Sequence, residues 1–326
     1  MHGLTVDHLY AVEVVVVDSA GRVRCVVATR EQDAPNRDLW WAHTGGGGGN
    51  FGVVTRYWFR SPDARGTDPS RLLPRPPRTV PTFRAPGTDY AALHTNLILL
   101  ARLMGKPFLI GQVSSTSAPE RIMDEHLDAI SAGTVAHTKT QVKKEVPGLY
   151  AAQVGSGDCA GRVFGKMKSA YAKKRVTDQQ IATAHQYLSN QNPADICGAF
   201  SLATYGGKVG DVAPDTTAYA HRESLFKIEY VARWPDPAQE AVFEAGLRKF
   251  YRAMYADTGG VSVPGEVNDG TYINYPDVGM RDPAWNTSNT PWHHLHYKDN
   301  YARLQRVKAR FDATYFFRHG LSIEPA

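Results

Sequence analysis

Leu39-Trp40-Trp41-Ala42-His43-Thr44-Gly45-Gly46-Gly47-Gly48-Gly49-Asn50-Phe51-Gly52-Val53-Val54-Thr55 places five consecutive glycines between two tryptophans and a β-branched run. A glycine tract by itself reads as a flexible linker. Here both flanks are apolar, and the run Val53 to Phe59 that follows is strand-like. Glycines at a sheet edge let the backbone approach a flat or anionic ligand, with N–H groups free to donate. No Gly-Lys-Ser/Thr follows the tract, and no G-x-G-x-x-G opens a helix after a strand, so neither a Walker loop nor a dinucleotide fingerprint is present.

On the N-terminal side, Tyr10 to Val17 is the most strand-like stretch of the chain, and its β-branched run reads as a central strand covered on both faces. Asp18 to Gly21 is a turn signal, and Val23 to Thr29 is the expected hairpin partner. On the C-terminal side, Ser61 to Pro86 is dense in proline and arginine and marks a domain boundary. Beyond it, helices are predicted over Tyr90 to Met104, Pro119 to Ser131, Thr177 to Leu188, Pro237 to Tyr255 and Asn300 to Phe311. Thr177 and Gln180 form a capping-box pattern. Strands are predicted over Phe108 to Thr116, Ile196 to Tyr205 and Ser224 to Trp234. In the last of these, Phe226, Ile228, Tyr230 and Trp234 alternate with Lys227 and Glu229, the mark of an antiparallel strand with one wet face.

The composition narrows the function classes. At 326 residues, 42% hydrophobic and 21% charged, the chain suits a globular protein of roughly two domains. A net charge of +5 with scattered Lys and Arg does not point to nucleic acid. The apolar run Val14 to Val17 is far short of the ~20 residues of a membrane helix. Cys25, Cys159 and Cys197 are too few and too dispersed for a disulfide framework or a zinc site.

The glycine stretch resembles the end of the FAD-binding domain in the berberine bridge enzyme-like flavin oxidases, within the vanillyl-alcohol-oxidase (PCMH-type) superfamily. A second signature of that family lies in Tyr272-Ile273-Asn274-Tyr275-Pro276-Asp277, Trp285, Tyr297 to Lys308, and Phe316 to Pro325. The similarity is greatest to actinobacterial antibiotic-tailoring and sugar-oxidising members. It implies an α+β fold: the back portion of a PCMH-type FAD-binding domain (1–62), a substrate domain with a large antiparallel sheet flanked by helices (63–270), and a berberine bridge enzyme-like C-terminal segment returning to the FAD domain (271–326). The implied cofactor is FAD, the implied substrate a glycosylated or hydroxylated small molecule, and the implied electron acceptor dioxygen. Neither nucleic acid nor a membrane is an implied partner, and the resemblance leaves the compartment open, with the cytoplasm favoured.

The same resemblance implies site residues. Gly46, Gly47, Gly48, Gly49, Asn50, Phe51, Gly52, Val53 and Val54 would hold the cofactor, joined by Asn274, Tyr297 and Asn300. Tyr275 stands where the family has its catalytic tyrosine, and Tyr205, in Ala203 to Gly207, matches a second active-site tyrosine. A phenol titrates near 10, so it serves as a base at neutral pH only beside a cation or donor. On residue type alone Tyr275 also fits a core tyrosine with one hydroxyl partner, and Asn300 a helix N-cap.

Two features have ordinary explanations. Pro291 to His296 holds closely spaced histidines, and on a strand His294 and His296 would share a face. No nearby carboxylate or cysteine completes a set, and the resemblance implies an aromatic strand there, so no metal is expected. Lys139 to Lys144, with Lys166, Lys168, Lys173 and Lys174, reads as solvated faces, or as the mouth of a site for an anionic or sugar substrate. The family's flavin-attachment histidine and Gly-x-Cys motif have no counterpart here, which leads to the expectation of an N-terminally truncated oxidase, or of a non-catalytic remnant unable to hold FAD tightly.

Overall fold

In the computed structural model Leu9–Val17 (β1) is the centre of a three-stranded antiparallel sheet, between Val23–Thr29 (β2) and Val53–Phe59 (β3). The residues described are 2–74, 78–84, 100–103, 106–115, 146–147, 164–189 and 199–326. β1 and β2 make the expected hairpin, with Ala11 opposite Thr29 and Val17 opposite Val23. Asp18 builds its turn by accepting the Ala20 and Arg22 N–H groups at 3.0 Å, the local bonding that suits Asp to turns. Only one face of the sheet is fully covered. Val12, Val14 and Val16 are buried, whereas Glu13 and Val15 are half-buried and their neighbours Val23, Val27 and Val53 are exposed. The expectation of cover on both faces is corrected accordingly.

The covered face packs under Arg37–Ala42 (α1), where Leu39, Trp40 and Trp41 are buried. Trp40 donates its indole N–H to the Leu9 carbonyl at 3.0 Å, satisfying a polar group that burial would otherwise strand. This helix leads straight into the glycine tract.

The second sheet has seven strands in the order β7-β4-β6-β5-β9-β10-β8, all antiparallel. They are Arg78–Arg84 (β4), Leu100–Leu103 (β5), Lys106–Ser115 (β6), Val146–Pro147 (β7), Phe164–Ala172 (β8), Ala199–Thr204 (β9) and Phe226–Trp234 (β10). The predicted helix over Tyr90 to Met104 does not reach its end, because Leu100–Leu103 pairs with β6 as a strand. The rest of that helix, the one over Pro119 to Ser131 and Lys139 to Lys144 lie outside the described residues. Asp178–Ser189 (α2) and Glu240–Met254 (α3) back the sheet. α3 buries Leu247, Phe250, Tyr251 and Met254, and the Phe250 and Tyr251 rings meet Tyr230 of β10 at 5.3 and 5.1 Å. The capping box forms: Thr177 N–H donates to Gln180 Oε1 at 2.9 Å and Gln180 N–H to Thr177 Oγ1 at 3.2 Å.

Two helices close the described fold, Trp292–Tyr297 (α4) and Tyr301–Phe311 (α5). The expected strand over Pro291 to His296 is therefore helical. Trp292, Leu295 and His296 are buried at i, i+3 and i+4, the spacing of one helical face. Extended Pro291, at ψ 145°, stands at the N-cap.

Candidate functional site

α1 ends by passing the chain into a loop that only glycine can make. A Cβ on Gly45 would lie 2.3 Å from the Tyr219 backbone nitrogen, and Gly47 turns at φ 80° with Ile273 2.9 Å from where its Cβ would be. The backbone thus runs against two later segments with no room for side chains. Tyr297, fully buried, donates to the Gly46 carbonyl at 3.1 Å. Asn50, also buried, donates to the same carbonyl at 2.8 Å and accepts the Ile323 N–H at 3.0 Å. Lys308 donates to the Asn50 carbonyl at 2.5 Å.

The loop floors a cavity of about 410 Å³, walled by Val6, His43, Val54, Tyr57, Tyr219, Tyr272, Ile273 and Asn274. His43 is tied through Nδ1 to the Leu39 carbonyl at 2.7 Å, and burial holds it below the usual imidazole range. A ring fixed that way is neutral, with Nε2 as an acceptor.

Tyr275 stands behind Tyr272, with ring centroids 5.4 Å apart. Its hydroxyl donates to Glu229 Oε1 at 3.0 Å. The Lys227 ammonium lies 4.6 Å from the Tyr275 ring centroid, 4.7 Å from that of Tyr272, and 2.8 Å from Glu229. Burial raises the Tyr275 phenol; Lys227 opposes that shift and Glu229 adds to it. The sequence marked Lys227 and Glu229 as the wet face of β10, and that face turns out to carry the tyrosine. The signal was their alternation; nothing in the sequence showed what lay above them.

Tyr205 follows β9 and joins a second group. Its hydroxyl donates to Tyr219 at 2.7 Å, and the Tyr219 hydroxyl donates to Tyr171 of β8 at 2.5 Å. The Arg222 guanidinium lies 5.5 Å from the Tyr219 ring and is bound to both Asp7 oxygens, at 2.7 and 3.1 Å. Tyr272 links the two groups, its ring 6.3 Å from both Tyr171 and Tyr219.

The sequence-derived residues thus sort by position. Gly47, Gly48, Gly49, Asn50, Phe51, Gly52, Val54 and Asn274 line the cavity. Gly46 and Tyr297 brace the loop from behind. Asn300 precedes α5 without a side-chain cap bond and donates to the carbonyls of Pro214, Thr217 and Ala218. Val53 is exposed and is not among the cavity-lining residues. Tyr275 and Tyr205 reach the cavity through Tyr272 and Tyr219. Composition alone did not single out Tyr219, Tyr171 or His43.

The reading of the lysines as solvated faces is corrected for Lys168; Lys174 is exposed, and Lys166 and Lys173 are half-buried. Lys168 is 5% exposed and ion-paired with Asp277, which holds the Tyr275 segment onto β8. Lys166, Lys173 and Lys174 pair with Glu244, Glu223 and Glu266. Among the described residues no group of three His, Cys, Asp or Glu side chains could hold a metal, and no helix is long and apolar enough to cross a membrane. His296 bonds the Thr271 carbonyl at 3.2 Å, and His293 stacks on Tyr301 at 4.0 Å.

Comparison with known proteins identifies this arrangement. Residues 271–324 match the family model "Berberine and berberine like". The chain is 44% identical to aclacinomycin-N/aclacinomycin-A oxidase of Streptomyces galilaeus, covering 99% of this chain but only 64% of that protein's length. Its fold superposes with a TM-score of 0.90 on CrmK, a flavoenzyme of caerulomycin biosynthesis, at 39% identity over 99% of this chain and 71% of that one. It also superposes with a TM-score of 0.85 on the glycopeptide hexose oxidase DBV29 complexed with teicoplanin, at 39% identity over 98% of this chain and 70% of that one. The chain belongs to the berberine bridge enzyme-like family of FAD-linked oxidoreductases.

Proposed function

We propose that this chain works as an FAD-dependent oxidoreductase on an alcohol or sugar hydroxyl of a secondary metabolite, with dioxygen as the terminal acceptor. The observation that carries the reading is the glycine-floored cavity with a lysine-flanked tyrosine behind its wall. Its relatives' names, an aclacinomycin oxidase and a glycopeptide hexose oxidase, point to metabolites of those kinds as the substrate class. We assign 1–62 to the FAD-binding unit, 63–270 to the substrate unit and 271–326 to the segment that returns to the FAD unit.

The residues fit the cofactor. Gly45, Gly47, Gly48 and Gly49 line the cavity without side chains, Gly48 with open space where a Cβ would stand, Tyr57 and Tyr272 give apolar walls, and His43 and Asn274 give polar edges. Bound there, FAD would supply the acceptor for a hydride leaving a substrate carbon. The protein's own task is the accompanying proton. Tyr275, once ionised, takes the proton of the substrate hydroxyl; Lys227 stabilises its phenolate, and Glu229 receives its hydrogen bond at rest. Tyr205 is a second proton-handling tyrosine of the same site.

Tyr275→Phe tests this reading. FAD binding should persist while kcat falls about 10²-fold or more, the scale of a lost general base. Unchanged turnover would remove Tyr275 from the role. A second reading, in which the chain by itself holds FAD too weakly to act, is favoured by the open outer wall: Tyr57 lines the cavity yet is 57% exposed. Quenching of FAD fluorescence on titration with the protein separates the two, since saturable quenching supports the enzyme and its absence the inert form.

A further inference from the structure

The mechanism above leaves two buried tyrosines unused. Tyr171 and Tyr219 are 1% and 7% exposed, and their hydroxyls continue a line that starts at Tyr205: 2.7 Å from Tyr205 to Tyr219, then 2.5 Å from Tyr219 to Tyr171. Strand register builds this line. Tyr171 on β8 lies directly opposite Lys227 on β10, and Lys227 opposite Ala203 on β9, two residues before Tyr205.

We propose that Tyr219 and Tyr171 are positioning residues that make Tyr205 a proton acceptor, by sharing the charge of its phenolate through a three-hydroxyl relay. The proposal rests on the reading of Tyr205 as an active-site residue. With all three phenols neutral, Tyr205 donates to Tyr219 and Tyr219 to Tyr171. When Tyr205, half-buried, gives up its proton to solvent water, the two remaining hydroxyls turn about: Tyr219 donates to the Tyr205 oxygen and Tyr171 to the Tyr219 oxygen. Two protons then serve three oxygens, and the negative charge keeps a donor at each step. On reaction, the ligand O–H bond breaks, a new O–H bond forms on Tyr205, and the relay returns to its first direction.

Of the groups facing the relay, the two cations favour that charge, whereas burial and Tyr272 oppose it. Burial raises all three phenols, and the hydrogen bond from Tyr219 together with Arg222 and Lys227 opposes the rise at Tyr205. Arg222 is held under the Tyr219 ring by Asp7 and by Thr217, and Lys227 is paired with Glu229. His221 stacks on Tyr171 at 4.5 Å, and burial lowers its pKa against the pull of Asp269. Asp269, beyond His221, is paired with Lys298 and Lys173. Tyr272 closes the remaining side with its ring face.

The test needs neither turnover nor cofactor, so its failure is distinct from failure of the oxidase reading. 3,5-Difluorotyrosine installed at position 205 of the full chain titrates nearer neutrality, and its ionisation is read by absorbance. Tyr219→Phe in that background should raise the midpoint by about one pH unit, a roughly tenfold loss of phenolate stability. Tyr171→Phe should raise it by less, and Tyr255→Phe, which removes a buried hydroxyl bonded elsewhere, should not move it. A midpoint unmoved by Tyr219→Phe, with folding confirmed by circular dichroism, overturns the relay. Should Tyr219→Phe fail to fold, an unmoved midpoint in Tyr171→Phe overturns it equally.

Discussion

Lys308, with no solvent exposure, donates at 2.5 Å to the carbonyl of Asn50 at the end of the glycine tract. It bonds Asp312 Oδ2 and the Phe317 carbonyl at the same distance. Asp312 in turn accepts the N–H groups of Phe316 and Phe317 at 2.8 and 3.0 Å. One ammonium thus fixes the loop, helix α5 and the segment after it. Lys308→Met should destabilise the protein by about 3–5 kcal/mol, because Asp312 is left as an uncompensated buried charge. Denaturant unfolding followed by tryptophan fluorescence measures it. A loss under 1 kcal/mol would mean that Asp312 finds another partner.

The glycines of the loop are not equivalent. Gly45→Ala drives a methyl into the backbone of Ala218 and Tyr219, while nothing lies within 4 Å of a Cβ on Gly48. Overpacking against backbone should cost Gly45→Ala at least about 2 kcal/mol, and Gly48→Ala should stay within about 0.5 kcal/mol of the parent. Thermal melts of both variants decide it, and equal shifts would contradict the close approach at Gly45.

Stability should fall on mild acidification. His296 is 3% exposed, and burial lowers its pKa to about 4. Between pH 6.5 and 4 the unfolded chain takes up the proton and the folded chain refuses it, so stability drops as pH falls through that window. Its share is about 3 kcal/mol. Asp269, held at about 2 by His221 and Lys298 against the cost of its burial, loses its own share only below pH 4. Unfolding free energies from pH 7 to 4 should slope less steeply for His296→Gln than for the parent.

Lys227 should set the alkaline shift of the proposed base. Removing the ammonium with Lys227→Met takes away the cation 4.6 Å from the Tyr275 ring. The Tyr275 phenol should then ionise about one pH unit higher. The rising limb of a kcat/KM profile reads this directly, and a limb that stays in place would separate Lys227 from Tyr275.

Much of the local structure was legible in the sequence. The hairpin of β1 and β2, strand β3, the Thr177 to Gln180 cap and α5 follow from short-range pattern and turn chemistry, and each lies within a residue or so of its expected bounds. What escaped depends on partners distant in sequence. Trp292 to Tyr297 carries aromatic and histidine residues that suit a strand, and its helical form is fixed by what Trp292, Leu295 and His296 pack against. Lys168 looks like any surface lysine until Asp277, 109 residues on, is placed beside it. The Tyr205–Tyr219–Tyr171 line needs the register of β8, β9 and β10 to bring Tyr171 near Tyr205, and the segment before β10 to bring Tyr219 between them. The glycine tract announced the cavity floor, but Lys227 and Glu229 read only as the wet face of an alternating strand, with no sign of Tyr275 above them.

The loop's remote bracing also dictates when the cavity can form. Asn50 accepts from Ile323 across 273 residues of sequence, and Gly46 from Tyr297 across 251. Contacts of that separation close the longest loops of the chain and are among the last made. During synthesis, the glycine tract leaves the ribosome 251 residues before Tyr297 and 273 before Ile323, and it waits unbraced until they follow. Maturation of the cavity therefore waits on the segment from Tyr297 to Ile323, and any ligand that needs the finished floor meets a chain in which that segment is already made.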